Sequence, residues 1–246
     1  MKLHVIGTGS KGNAYLLKAS DGQMLLIECG VRPALIKQAI GFNPGKVVGC
    51  IATHNHGDHF GSAMDVLNMG IPLYATNGTY KAANVYHYRA TCIQSGEKFQ
   101  IGDFKIIPFD VQHDALEPVG FLIHHPECGK LLFITDTFYI RHKFKALNNI
   151  IIEANYCEKI IEQKLGIESD RRFLRDRILQ SHFSLQNCLE LLKANDLSQV
   201  NNVVLIHLSD SNSDEKRFKR EVEELTGKTV TVASNGLEIE LNKQPF

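Results

Sequence analysis

The chain reads as an α/β protein in which two β-sheets lie face to face between outer layers of helix. Three observations lead there. Short apolar strands and helical segments follow one another in both halves of the 246 residues, as expected of layered sheet-and-helix folds. Val47–Ala52 is a continuous apolar run, the mark of a strand covered on both faces, and Asn149–Glu153 is read the same way. No Pro-rich, low-complexity or repeated stretch divides the chain, so residues 1–246 are expected to fold as a single domain.

The elements follow in order. Leu3–Ile6, Ala14–Lys18 and Met24–Glu28 are strand-like, separated by the Gly7–Asn13 loop and the Ser20-Asp21-Gly22 turn. Pro33 opens a short helix to Ile40, since proline suits the first helical position. After Val47–Ala52 comes the polar stretch Thr53–His59, then a helix through Met69. Pro72–Ala75, Thr91–Gln94 and Phe104–Asp110 are strands, with Thr79–Tyr86 helical. Val119–His124 and Lys130–Thr135 flank a Pro126-Glu127-Cys128-Gly129 turn and make a hairpin. Glu158–Leu165, Arg171–Leu179 and Asp214–Thr226 read as helices, and Ser184 caps another to Ala194. Val203–His207 is a strand, and Thr229–Val232 with Leu237–Leu241 is expected to close the chain as a hairpin.

Composition narrows the function. Lys and Arg number 27 against 27 Asp and Glu, which excludes binding to nucleic acid or anionic membrane by bulk charge, though not by a local basic patch. No apolar run approaches the ~18 residues of a membrane span, and the start resembles no signal peptide. The six cysteines are scattered without a CxxC pair, as expected of reduced thiols in a cytoplasmic protein. The anomaly is the content of 11 histidines.

Thr53-His54-Asn55-His56-Gly57-Asp58-His59 explains part of it. The stretch joins a buried strand to a helix, so its side chains can converge above a sheet edge. His54 and His56 point the same way in an extended segment, and Asp58 and His59 reach a second position. Neutral imidazoles and carboxylates suit zinc and related divalent ions.

This HxHxDH loop resembles that of the metallo-β-lactamase-fold hydrolases, which implies a four-layer αβ/βα sandwich of two mixed β-sheets flanked by helices. Further motifs match in order. Glu28, before Cys29-Gly30, stands where the family usually has Asp and would serve as a supporting carboxylate. His113, Asp136 and His207 each follow a strand, as the third, fourth and fifth motifs do. The resemblance implies one metal on His54, His56 and His113 and another on Asp58, His59 and His207, with Asp136 shared. Two such ions, zinc or manganese foremost with iron or magnesium as alternatives, would hold a bridging hydroxide for hydrolysis.

The resemblance extends along almost the whole chain to the YycJ/WalJ-type subgroup. It rests on Gly7–Leu17, His113–Phe121, Ser181-His182-Phe183-Ser184 and His207-Leu208-Ser209 with Asn212. Tyr156-Cys157 stand where that subgroup has His-Asp, and Ser213 replaces a second Asn. Members are implicated as double-stranded DNA exonucleases, which implies a nuclease with DNA as substrate. Asp58 then belongs to the catalytic set, with His182 as general acid oriented by Glu153. The alternatives are a small-molecule ester, thioester, lactone or cyclic phosphodiester hydrolase, and a non-catalytic metal-binding regulator. Basic clusters at Arg141–Lys145, Arg171–Arg177 and Lys216–Arg220 are candidate phosphate contacts, each with an aromatic (Phe144, Phe173, Phe218) that either stacks on a base or packs inward.

Overall fold

The computed structural model describes residues 1–165, 179 and 181–244. One seven-stranded sheet has the order β14 (Glu238–Glu240), β1 (Lys2–Gly7), β2 (Ala14–Lys18), β3 (Met24–Ile27), β4 (Val47–Ile51), β5 (Leu73–Thr76), β6 (Ala90–Ile93). The other runs β13 (Thr229–Val232), β12 (Asn202–Ile206), β11 (Asn149–Glu153), β10 (Gly129–Ile134), β9 (Val119–His125), β8 (Phe104–Asp110), β7 (Phe99–Ile101). Both are mixed. Neighbours are antiparallel from β14 to β3 and parallel from β3 to β6. In the second sheet they are parallel from β13 to β10 and antiparallel from there to β7.

The sheets meet over an apolar seam that includes Tyr15, Leu17, Ile27, Phe121, Phe133 and Ile151. Their outer faces are covered by helices, completing the four layers. On the first sheet, α1 (Pro33–Ala39), α3 (Ala63–Asn68) and α4 (Asn77–Ala83) bury Ile36, Val66, Leu67 and Tyr80. On the second, the helices Leu185–Ala194 (α6) and Glu215–Thr226 (α7) bury Leu192, Phe218 and Val222. A further helix, Glu158–Leu165, is α5. The helix expected over Arg171–Leu179, with its basic cluster, lies outside the described residues except for Leu179.

Three sequence expectations need correction. The last two strands are not a hairpin: β13 pairs with β12 in one sheet and β14 with β1 in the other. Alternating apolar residues identify a strand but not its partner, and the Ser234-Asn235-Gly236 turn carries the chain across, with Gly236 N donating to Val5 O at 2.7 Å. The short strand β7 was not expected; it is held by pairing with β8. The helix expected from the HxHxDH loop through Met69 is broken into α2 (Gly57–Phe60) and α3. The bond that would continue it, from Ser62 N to Asp58 O, is taken by outside partners. Ser62 N donates to Cys29 O at 2.9 Å, and Asp58 O accepts from Asn13 N at 2.7 Å.

This break seats the loop on its neighbours. Cys29 N donates to His59 O at 2.8 Å, so the chain after β3 lies directly against the Asp58–His59 backbone. Gly30 makes the approach possible, since a Cβ there would fall 1.8 Å from Asp58 O and 2.5 Å from His59 N. Backbone cannot yield as a flexible side chain does. Gly30→Ala is therefore expected to cost about 1–3 kcal/mol or more and to lower metal content, checked by thermal denaturation and elemental analysis of the purified variant.

Candidate metal centre

The site collects at strand ends that open on one edge of both sheets. Glu28 follows β3, the Thr53–His59 loop follows β4, and His113 lies just beyond β8. Asp136 follows β10, Glu153 ends β11 and His207 follows β12. Glu28, Asp136 and His207 adopt left-handed backbone, with φ of 64°, 43° and 54°. For a residue with a Cβ this conformation costs of order 1–3 kcal/mol and persists only where the surroundings impose it. Here they do: Glu28 N donates to Ile51 O at 2.8 Å, and His207 N to Thr8 Oγ1 at 2.9 Å. The left-handed step turns each chain sharply off its strand.

The side chains form two groups that share one carboxylate. In the first, His54 Nε2 and His113 Nε2 each lie 3.7 Å from Asp136 Oδ2, and His113 Nε2 lies 3.0 Å from His56 Nδ1. In the second, His59 Nε2 is 3.3 Å from the same Asp136 oxygen and 3.4 Å from Asp58 Oδ2. His207 Nε2 completes it, 3.4 Å from Asp58 Oδ2. Ligand atoms placed tetrahedrally about an ion at ~2.0–2.1 Å sit roughly 3.3 Å apart, so these spacings suit a divalent metal.

Of the nitrogens facing away from each group, those of His54 and His207 are engaged, while buried His59 Nδ1 and His113 Nδ1 make no hydrogen bond and face carboxylates. His54 Nδ1 lies 2.9 Å from Thr53 Oγ1, His59 Nδ1 is 3.6 Å from Glu28 Oε1, and His207 Nδ1 is 3.2 Å from Glu153 Oε1. Such outer partners fix ring orientation in metal sites. Buried His54 Nε2, which faces the first group, also has no hydrogen-bond partner. A buried imidazole nitrogen left without a partner is costly unless something else satisfies it. The residues fit a divalent cation.

Electrostatics agree. Glu28, Asp136 and Glu153 are buried and Asp58 is partly so, and among the described residues their ion-pair partners are all histidines. Burial disfavours charge on Asp58 and Asp136, but the surrounding histidines outweigh it and hold both carboxyls well below the usual range. Burial likewise opposes charge on His59 and His207. Asp136 and its neighbours overcome it, raising His59 well above its ordinary value and His207 to about 10. Burial and the adjacent His59 keep His54 well below its ordinary value.

All ten residues singled out in the sequence gather around one cavity edge. The cavity, about 410 Å³, is lined by His56, Asp58, His113, Asp136, His182 and His207, among others. Glu153 and Glu28 stand behind, at 0% exposure. Glu28 accepts from Thr53 N at 3.3 Å, so the longer acid still bonds the HxHxDH loop. His182 and Glu153 form a third group with Asp136 and His207, their closest atoms 2.8 Å apart.

Sequence reasoning missed the supports. The Gly7–Asn13 loop holds the ligand loop: buried Asn13 donates from Nδ2 to Asp58 O at 3.2 Å and reaches His59 Nε2 at 3.1 Å. Its Oδ1 accepts from Gly9 N at 2.9 Å and from the Tyr15 hydroxyl at 3.2 Å. Asn155 Nδ2 donates to His207 O at 2.8 Å. A loop asparagine carries no sequence signal for such a role, although Asn13 closes the stretch already matched to the subgroup. The basic clusters fare differently. Phe144 and Phe218 pack inward, and Arg217, Lys219 and Arg220 pair with glutamates one turn on in their own helix. Phe173 lies outside the described residues.

Asp136→Ala removes the oxygen common to both groups and is expected to abolish binding of both ions, whereas His54→Ala should spare one; metal content by mass spectrometry decides. Glu28→Gln should weaken affinity by about 10–100-fold. Because His59 and His207 hold protons well above neutrality in the metal-free chain, metal must displace them. Loading near neutral pH should therefore release protons and tighten as pH rises, seen as a calorimetric heat that varies with buffer ionisation enthalpy.

Comparison with known proteins follows the same line. A family model for the metallo-beta-lactamase superfamily matches residues 7–196. The chain is 28% identical over 239 aligned residues to exodeoxyribonuclease YycJ of Bacillus anthracis, covering 81% of this chain and 89% of that one, which supports the YycJ-type subgroup. Its fold is that of YhfI from Bacillus subtilis, with a TM-score of 0.72 at 16% identity over 97% of this chain and 99% of that one. The short form of human tRNase Z also shares it, with a TM-score of 0.61 at 18% identity over 98% and 99% of the two chains. With the family model spanning most of its length and the metal-binding groups at the strand ends, the chain belongs to the metallo-beta-lactamase superfamily of metal-dependent hydrolases.

Proposed function

We propose that this protein is a nuclease that hydrolyses phosphodiester bonds in DNA with two divalent ions, zinc or manganese, in the cytoplasm. The whole of residues 1–246 acts as one unit in this reading. The observation that carries it is the His182–Glu153 pair beside the metal-binding groups, where a proton donor serves the leaving oxygen of a phosphodiester. A relative that bears the name exodeoxyribonuclease and a fold neighbour that is a tRNase point the same way.

Bound ions would polarise a phosphoryl oxygen and supply an activated water. Asp58, His59 and His207 would hold one ion, and His54, His56 and His113 the other, with Asp136 common to both. His182 handles the leaving group. Glu153 Oε1 engages its Nδ1 at 2.8 Å, and Glu153 Oε2 is itself held by Phe183 N at 3.1 Å. Nε2 is then the ring nitrogen left to pass a proton to the departing oxygen. Burial opposes the charge on His182, but the Glu153 carboxylate outweighs it and raises the histidine above its ordinary value. The raised value favours the protonated form that a general acid must present.

The test is hydrolysis of end-labelled single- and double-stranded DNA, RNA and a chromogenic phosphodiester with Mn²⁺, Mg²⁺ or Zn²⁺. Asp58→Ala should abolish nucleotide release. His182→Ala should lower kcat by roughly 10²–10⁴-fold at unchanged metal content. The wild type should lose activity as pH climbs through the raised His182 value, and the variant should lack that limb. Full turnover in His182→Ala would remove the acid role. Cleavage of the small ester alone would indicate a small-molecule hydrolase, and DNA binding without cleavage at full metal content a regulatory scaffold.

A further inference from the structure

The loop after Asp136 presents two aromatic side chains to solvent on a backbone that is tied down. Phe138 and Tyr139 are 38% and 53% exposed, whereas Ile140 and Phe144 of the same loop are buried. The loop thus has its apolar anchors and still leaves two rings outside. Its backbone is clamped to the segment that carries His113. Phe138 N donates to Gln112 O at 3.1 Å, and Gln112 N donates to the buried Thr137 hydroxyl at 3.0 Å. Asn187 Nδ2 donates to Phe138 O at 2.7 Å. Tyr139 is three residues from Asp136, a reach of at most about 11 Å.

Charge continues the surface. Tyr139, Arg141, His142 and Lys143 line a depression of about 210 Å³ that Phe183, the neighbour of His182, also lines. Arg141 and Lys143 are exposed, and among the described residues neither has an ion-pair partner. Exposed rings beside free cations match a single nucleic-acid strand, whose bases stack without regard to sequence and whose phosphates attract the cations. A small substrate confined to the central cavity would have no use for rings outside it.

We propose that Phe138 and Tyr139 form a stacking platform for the bases of a single DNA strand, with Arg141 and Lys143 on its phosphates, guiding that strand into the metal centre. The assignment rests on the nuclease reading and names the part of the substrate that lies beyond the scissile bond.

The test separates the two. A fluorescent single-stranded DNA oligonucleotide is titrated with the full chain in EDTA, so that binding is read without turnover. Phe138→Leu with Tyr139→Leu keeps bulk but removes the stacking faces, and should weaken affinity by about tenfold or more per unstacked base. Tyr139→Phe should retain it. Arg141→Gln should lower the salt dependence of binding by about one ion. Phe42, another exposed aromatic at 72%, serves as a control, and Phe42→Leu should change nothing. On cleavable DNA the double variant should raise KM more than it lowers kcat, with metal content intact.

Equal affinity of wild type and double variant overturns the platform, as does an absence of binding by the wild type. A pair-dependent dimer in sedimentation with unchanged DNA affinity overturns it in favour of self-association. A loaded wild type that cuts no DNA removes the nuclease reading, while pair-dependent binding in EDTA still upholds the platform. DNA cleavage that the double variant reproduces with wild-type KM and affinity removes the platform alone.

Discussion

Asp136 Oδ2 is the point on which the arrangement turns. It lies within 3.7 Å of His54 and His113 and 3.3 Å from His59, so one oxygen ties two groups of ligands into one centre. Placing a carboxylate there requires left-handed backbone at the end of β10, an end buried between layers. Thr135 holds it from the side, donating its hydroxyl to Oδ1 at 3.0 Å. The buried charge cannot stand alone in such surroundings. In the metal-free chain the protons on His59 and His207 balance it, and those same nitrogens are the ones a cation would claim.

The rest of the fold serves to keep these atoms still. Parallel strands of both sheets end on the same edge, and the apolar seam between them locks the two edges together. The short α2 exists because its hydrogen-bond ladder is surrendered to Asn13 and Cys29, which hold the ligand loop instead of a longer helix. Gly30 lets that backbone approach. The Gly7–Asn13 loop, which separates β1 from β2, is part of the scaffold, with Thr8, Tyr15 and Asn13 linked by hydrogen bonds to His207 and His59. The residues after Asp136 join this centre to the exposed Phe138 and Tyr139.

Much was legible in the residues before any coordinates. The HxHxDH spacing is local, so chain geometry alone brings its four side chains close. His113, Asp136 and His207 are isolated in sequence and became readable through their order after apolar strands, which resemblance to a known pattern made meaningful. Nothing local marks Asn13, Asn155 or the exposed Phe138–Tyr139 pair. Their partners come from segments distant in sequence, as Asn155 Nδ2 on His207 O, 52 residues on, shows. The same cause misled the reading of the last two strands, whose alternation is real but whose partners lie in different sheets.

The sequence by itself determined most of the elements, the layered α/β class and the chemistry of the ligands, because periodicity and residue type are properties of short segments. Tertiary structure decided which nitrogen of each histidine faces inward, which loop holds the ligand loop, and which aromatics stay outside. Phe144 and Phe218 pack inward while Phe138 and Tyr139 do not. Burial and hydrogen-bond partners depend on the whole packed chain, and no window of sequence contains them.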